Sequence, residues 1–245
     1  MSQQKFSVDE AIQFGWNVMK ENLVFFILVM VIVSAIQITP GIITGLIEKK
    51  MPVLSMVISV ISMLVNMVMG IGLMRIALKL CDTRQAEIHD LFSCDPGLFF
   101  KYFLSTMLYT LILLGVLGVL LVPVVVAVIL SGGKPNFIIV GSLAAVLIPA
   151  GVIVVVWLAL KLQFYSYLII DRGLGPIGAL NQSSVITRGA KGQLLIVWIL
   201  TGLINIAGFI LCFIGLFASI PITMMAMAFV YRRLLSLSET PTPSI

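Results

Sequence analysis

Five stretches of this sequence, Leu23–Ile38, Val53–Met74, Phe103–Leu130, Phe137–Leu160 and Leu194–Val230, contain no Asp, Glu, Lys, Arg or His. A bilayer core needs about 20 apolar residues per helical crossing. Inside lipid the backbone must satisfy its own N–H and C=O groups, so runs of this length predict transmembrane helices. Transmembrane β-strands are shorter and alternate too strictly to fit. The remaining residues could not keep such a chain in water. Charged residues make up only 10% of it, against 60% hydrophobic, where a soluble domain carries about a quarter charged.

Leu194–Val230 would be about 55 Å long as one helix, too long for a single span. Gly215 and Pro221 supply a fold point, which gives a fifth span over Leu194–Cys212 and a sixth over Ala218–Leu235. The first run extends through Pro40 and Gly41 to Ile47, with a kink expected at the proline. The predicted fold is all-α: a polytopic bundle of six spans arranged as three hairpins. Residues 1–22 form an amphipathic segment, 23–235 the transmembrane domain, and 236–245 (SLSETPTPSI) a disordered tail. The first apolar run is long and follows a polar, mixed-charge segment, so it reads as a retained signal anchor.

With the N-terminus inside, Lys5, Lys20, Arg75, Lys79, Arg84, Lys101, Lys161, Arg172, Arg188, Lys191, Arg232 and Arg233 fall on the inner side. Only Lys49, Lys50 and Lys134 fall outside. This asymmetry predicts that both termini are cytoplasmic. The net charge of +5 then matches anionic inner-leaflet lipid rather than nucleic acid, for which no basic segment is dense enough. Cys81 and Cys94 lie on the inner side and Cys212 within a span, so no disulfide framework is expected.

The outer loops are minimal and the inner segments longer. Ser7 and Glu10 form a capping-box signature opening a short helix whose Val8, Ile12, Trp16 and Met19 share a face, as in a helix lying on the membrane surface. Similar stretches, Ile88–Lys101 and Gly178–Lys191, precede the third and fifth spans. Each odd span thus follows an amphipathic stretch ending in a lysine: Lys20, Lys101 or Lys191.

No HExxH, GxSxG, GxGxxG or Walker A sequence occurs, and no cofactor is implied. Gly132-Gly133-Lys134 reads as a turn. Cys81, His89 and Cys94 lack the paired spacing of a zinc module, and the methionines read as packing residues. No ionisable group lies deep in a span, which speaks against proton relays, ion-coupled transport and intramembrane proteolysis. The polar groups at depth are Ser55, Ser59, Ser62 and Asn66 on the second span and Asn205 on the fifth. These, and the GxxxG of Gly41 and Gly45, are expected to mediate helix–helix contact.

Four segments, EAIQFGWNVMKENLVFF, DLFSCDPGLFFKYF, YSYLIIDRGLGPIGALNQSSVITRGAKG and LINIAGFILCFIGLFASIPITMMAMAFVYRRL, together resemble a bacterial group of six-span integral membrane proteins of unknown function. That group is similar to the membrane domain fused to some glycerophosphodiester phosphodiesterases. The resemblance runs from about Val8 to Leu235. It is strongest over Ile170–Ile177 and Thr187–Lys191. It departs at Gly178, where such relatives often carry an acid. It implies a six-span fold, a bacterial inner membrane and a lipid-related setting. The phosphodiesterase catalytic domain has no counterpart in these residues, so no hydrolase activity is implied.

Two functions are then expected. The first is a non-enzymatic component that binds or organises anionic lipids, a second copy or another membrane protein through its basic face. Arg172, Arg188 and Lys191 would contact headgroups around a short helix beginning near Gly175. Its apolar side would carry Ile177, Leu180, Ser184 and either Ile186 or Thr187, and Asn181, Gln182 and Arg188 would face headgroups. The alternative is a transporter or channel for a small uncharged or amphipathic solute, with the polar stripe as its path.

Overall fold

A computed structural model describes residues 6–130, 137–211 and 215–239. The 131–136 turn, Cys212 and the distal tail lie outside the described residues. All regular structure among those described is helical. The order is α1 Val8–Glu21, α2 Leu23–Ile47, α3 Pro52–Thr83, a 3-10 turn Ile88–Leu91, α4 Pro96–Leu130, α5 Phe137–Leu162, α6 Tyr165–Arg172, α7 Pro176–Ile186, α8 Lys191–Ile210 and α9 Leu216–Glu239. Six helical segments are long and apolar enough to cross a membrane: α2, α3, α4, α5 continued by α6, α8 and α9. They pair as three hairpins, α2 with α3, α4 with α5 and α8 with α9.

The chain is a multi-pass bundle built around α9. This helix touches α1, α2, α3, α7 and α8. Half of its most apolar window is buried, whereas none of the corresponding α4 window is. The deepest side chains are Tyr231, Phe26, Phe164, Met69, Ile76 and Leu168. They belong to one cluster at the end of the bundle that carries most of the basic residues, here called the basic end.

Two glycines allow that end to close. A Cβ on Gly15 of α1 would stand 2.3 Å from the Ile222 carbonyl oxygen of α9, and one on Gly72 of α3 would stand 2.1 Å from that of Leu91. Backbone therefore meets backbone at both places, which only glycine permits.

Three details depart from the sequence expectations. The fully buried residues of α1 are Ala11, Gly15, Val18 and Met19; of the expected Val8–Ile12–Trp16–Met19 side, Met19 is buried and Val8 and Ile12 half-buried, and Trp16 alone is exposed. Trp16 points outward, with the Lys20 ammonium 4.8 Å from its ring. Small residues allow α1 to approach α9, with Phe14 against Phe229 at 5.0 Å between ring centres beside them. The GxxxG of Gly41 and Gly45 meets no neighbour, since a Cβ at either would find nothing within 4 Å. Residues 236–239 of the expected disordered tail continue α9, and Glu239 is ion-paired to Arg172.

Candidate functional site: the basic end of the bundle

Three helix ends meet in a charged network. Asp171, at the end of α6, accepts hydrogen bonds from Tyr231 Oη at 2.8 Å and Arg232 Nη1 at 2.8 Å, both from α9. Arg232 Nη2 also reaches Asp82 of α3 at 2.5 Å, and Arg172 joins Glu239 at 2.5 Å. Charge-assisted bonds of this kind are stronger than neutral ones. The Asp171 side chain is only 14% exposed and that of Arg232 26%, which makes this a structural tie between α3, α6 and α9. Stacked tyrosines back it, Tyr167 on Tyr231 at 5.2 Å and Tyr109 on Tyr165 at 5.0 Å between ring centres.

The link between α3 and α4 is pinned in the same manner. Asp90 is buried, accepts the Glu87 N–H at 2.9 Å and pairs with the Lys79 ammonium. Burial alone would raise its pKa, but the Lys79 partner and the Glu87 N–H outweigh it, so Asp90 titrates below the usual aspartate range. Arg75 donates to the Ser93 carbonyl and, at 2.8 Å, to its hydroxyl. Lys101 donates to the Gly173 carbonyl at 2.8 Å. No group of three or more His, Cys, Asp or Glu placed to hold a metal occurs among the described residues.

The third feature surrounds α7. This helix begins at Pro176, where the missing N–H costs nothing. Its buried residues are Ala179, Leu180, Ser183 and Ile186, followed by Thr187. Ile177, expected on the apolar side, is instead 68% exposed. The reason lies at the break between α5 and α6. Ser183 Oγ accepts the Phe164 N–H and donates to the Lys161 carbonyl, both at 3.2 Å, and Thr187 Oγ1 donates to the same carbonyl at 3.0 Å. Two α7 hydroxyls thus hold the final turn of α5, and with it Lys161, in place. Sequence reading missed Ser183, Asp171 and Arg232 because their partners are distant along the chain.

Just above this clamp Trp157 is 48% exposed. The Lys191 ammonium stands 3.9 Å and the Lys161 ammonium 5.3 Å from its ring centre, within cation–π range. Neither lysine takes part in an ion pair among the described residues. Of the three expected headgroup contacts, Lys191 joins this group and Arg188 lies exposed three residues before it. Arg172 is instead occupied by Glu239 and Asp171, because α9 continues far enough to supply a carboxylate.

The polar stripe reaches a helix interface only in part, with Ser62 lining the cleft between α2 and α3. Only Ser55 is buried, Ser62 is half-buried, and Ser59 and Asn66 are exposed. Ser55, Ser59, Ser62 and Asn66 each donate to a carbonyl three or four residues back in α3 or at its start. Asn205 is half-buried, and its Oδ1 has no hydrogen-bond partner among the described residues.

No family model matches this chain, and neither a curated protein nor a solved structure does.

Proposed function

We propose that this chain is a non-enzymatic protein of a bacterial inner membrane, with both termini cytoplasmic, that binds anionic phospholipid at its basic end. The carrying observation is the Trp157 group. Two ammonium groups share one half-exposed indole and take part in no ion pair among the described residues, while Lys79, Arg84, Arg172 and Arg232 are all engaged by acids. Tryptophan favours the headgroup level, and lysines there reach lipid phosphate with their stems along the apolar surface. Arg188 adds a third positive charge nearby. Transport draws less support, because the stripe residues bond to their own helix and two of the four lie on the outer surface of α3.

Each cation near an anionic surface contributes about 1 kcal/mol. Native mass spectrometry of the K161Q/K191Q variant should therefore show retention of phosphatidylglycerol over phosphatidylcholine reduced by at most roughly 30-fold, and by less at high salt. Unchanged preference would overturn the lipid reading. The orientation is tested separately in intact cells. A membrane-impermeant thiol reagent should label a cysteine placed at Asn136 and leave one at Ser238 untouched; the reverse pattern would overturn the topology.

A further inference from the structure

Beside the Trp157 lysines the chain forms a notch with a mixed lining. It is a cavity of about 300 Å³ where α4, α5 and α7 meet, bounded by Lys161, Asn181 and Ser184 on its polar side and by Leu108, Ile112 and Leu158 on its apolar side. That volume is at the low end of small-ligand sites, which combine apolar walls with a few convergent polar groups. The polar side groups are held by structure already described. The Lys161 backbone is fixed by Ser183 and Thr187, and Ser184 Oγ donates to the Asn181 carbonyl at 2.8 Å.

The apolar wall does not end at the notch. The flank of α4 that carries Leu108 and Ile112 continues at helical spacing to Gly115 and Val119. A Cβ at Gly115 would meet nothing within 4 Å, and Val119 is 72% exposed. Above the notch, Gly115 and Val119 thus form an open apolar flank of α4. A charged foot beside an apolar flank matches an amphiphile with a phosphate at one end and an acyl chain at the other. A soluble phosphate would leave that flank uncovered.

We propose that the α4–α5–α7 notch seats the headgroup and glycerol region of a single anionic glycerophospholipid. Lys161, with Lys191 beside it, faces the phosphodiester. The Asn181 amide and Ser184 face the polar glycerol and ester groups, and the first methylenes of one acyl chain follow Leu108, Ile112 and Gly115. This rests on the lipid reading above and narrows it to one place and one ligand class.

The test uses the full chain in detergent with defined lipids. Asn181 is exposed, so Asn181→Trp fills the notch while leaving every charge and the Ser183 clamp intact. It should lower retention of phosphatidylglycerol at least fivefold in native mass spectrometry and leave thermal unfolding unchanged. Short-chain phosphatidylglycerol should displace bound lipid, and glycerol 3-phosphate at equal concentration should not. Gly115→Leu should reduce retention of long-chain lipid more than of short-chain lipid. Full retention by the Asn181→Trp variant, alongside a loss in K161Q/K191Q, would overturn the notch and leave the broader lipid reading standing. Equal displacement by glycerol 3-phosphate would overturn the acyl contact along α4. A wild-type chain that does not distinguish anionic from zwitterionic lipid would overturn both.

Discussion

The two halves of this bundle are held together by different means. At the basic end helices touch through glycine, buried aromatic rings stack, and carboxylates tie α3, α6 and α9. In the apolar half two of the three hairpins part, while α8 and α9 stay together where Gly208 meets Gly215 and Ser219. A cleft of about 550 Å³ opens between α4 and α5 and one of about 500 Å³ between α2 and α3. Apolar side chains in lipid gain little by meeting each other, since acyl chains are equally apolar. Where the helices emerge towards water and headgroups, burial and ion pairing again distinguish packed from unpacked. The basic end therefore has a core like that of a soluble protein, and the apolar half relies on its solvent.

That contrast should appear most strongly in glycine substitutions. Gly72→Ala forces a methyl group against the Leu91 backbone and should destabilise by about 3 kcal/mol in equilibrium unfolding from mixed micelles. Gly45→Ala, with open space around it, should be neutral or stabilising by up to about 1 kcal/mol. Equal losses at both sites would erase the distinction between the halves.

Next in size is the charged tie. Asp171→Ala leaves Arg232 without one of its two carboxylates and Tyr231 Oη without an acceptor. It should cost about 2 kcal/mol, below the 3–5 kcal/mol range of fully buried pairs, because Arg232 is only partly shielded. Tyr231→Phe in the same assay should cost about 1 kcal/mol. Ser183→Ala leaves the buried Phe164 N–H without its acceptor and should cost about 1–2 kcal/mol, whereas Ser59→Ala should stay within about 0.5 kcal/mol.

The pH response sharpens the same point. The folded-state pKa of Asp90 lies below its unfolded value of about 3.9. Its stabilising contribution is present above that value and is lost as pH falls through the lower folded one. Thermal unfolding in detergent between pH 5 and 2 should show wild type losing stability that an Asp90→Asn variant has already lost. Parallel curves for the two would show that Asp90 contributes nothing.

The spans were legible in the sequence because uncharged runs of that length have few other solutions, and the three hairpins followed from the turns between them. The faces of the short helices were not. On α1 the expected Met19 is buried, yet the closest approach is made at Gly15, whose value is the absence of a side chain. On α7 the expected Leu180, Ile186 and Thr187 are buried, but Ile177 is exposed and the buried side includes Ser183, whose hydroxyl is directed at a carbonyl of another helix. The ion pairs were hidden by distance along the chain, with 60 residues between Asp171 and Tyr231 and 150 between Asp82 and Arg232. Lys191 was expected near headgroups, whereas Lys161 gained its place only when α5 and α8 came together at Trp157.

The contact of α1 with α9 carries a consequence for biosynthesis. Domains form in the order in which the chain emerges, yet Gly15 needs Ile222 and Ala226, residues made some two hundred positions later. During translation α1 can meet Arg84 through Glu21 and Phe14 but lacks α9, and Asp82 and Asp171 await Arg232. The helices can be inserted one after another, but the basic end can close only when α9 arrives. A ribosome-bound intermediate stalled before α9 would therefore expose both carboxylates and the small-residue face of α1 together, a recognisable mark of incomplete synthesis for any membrane protease or insertase that surveys nascent chains.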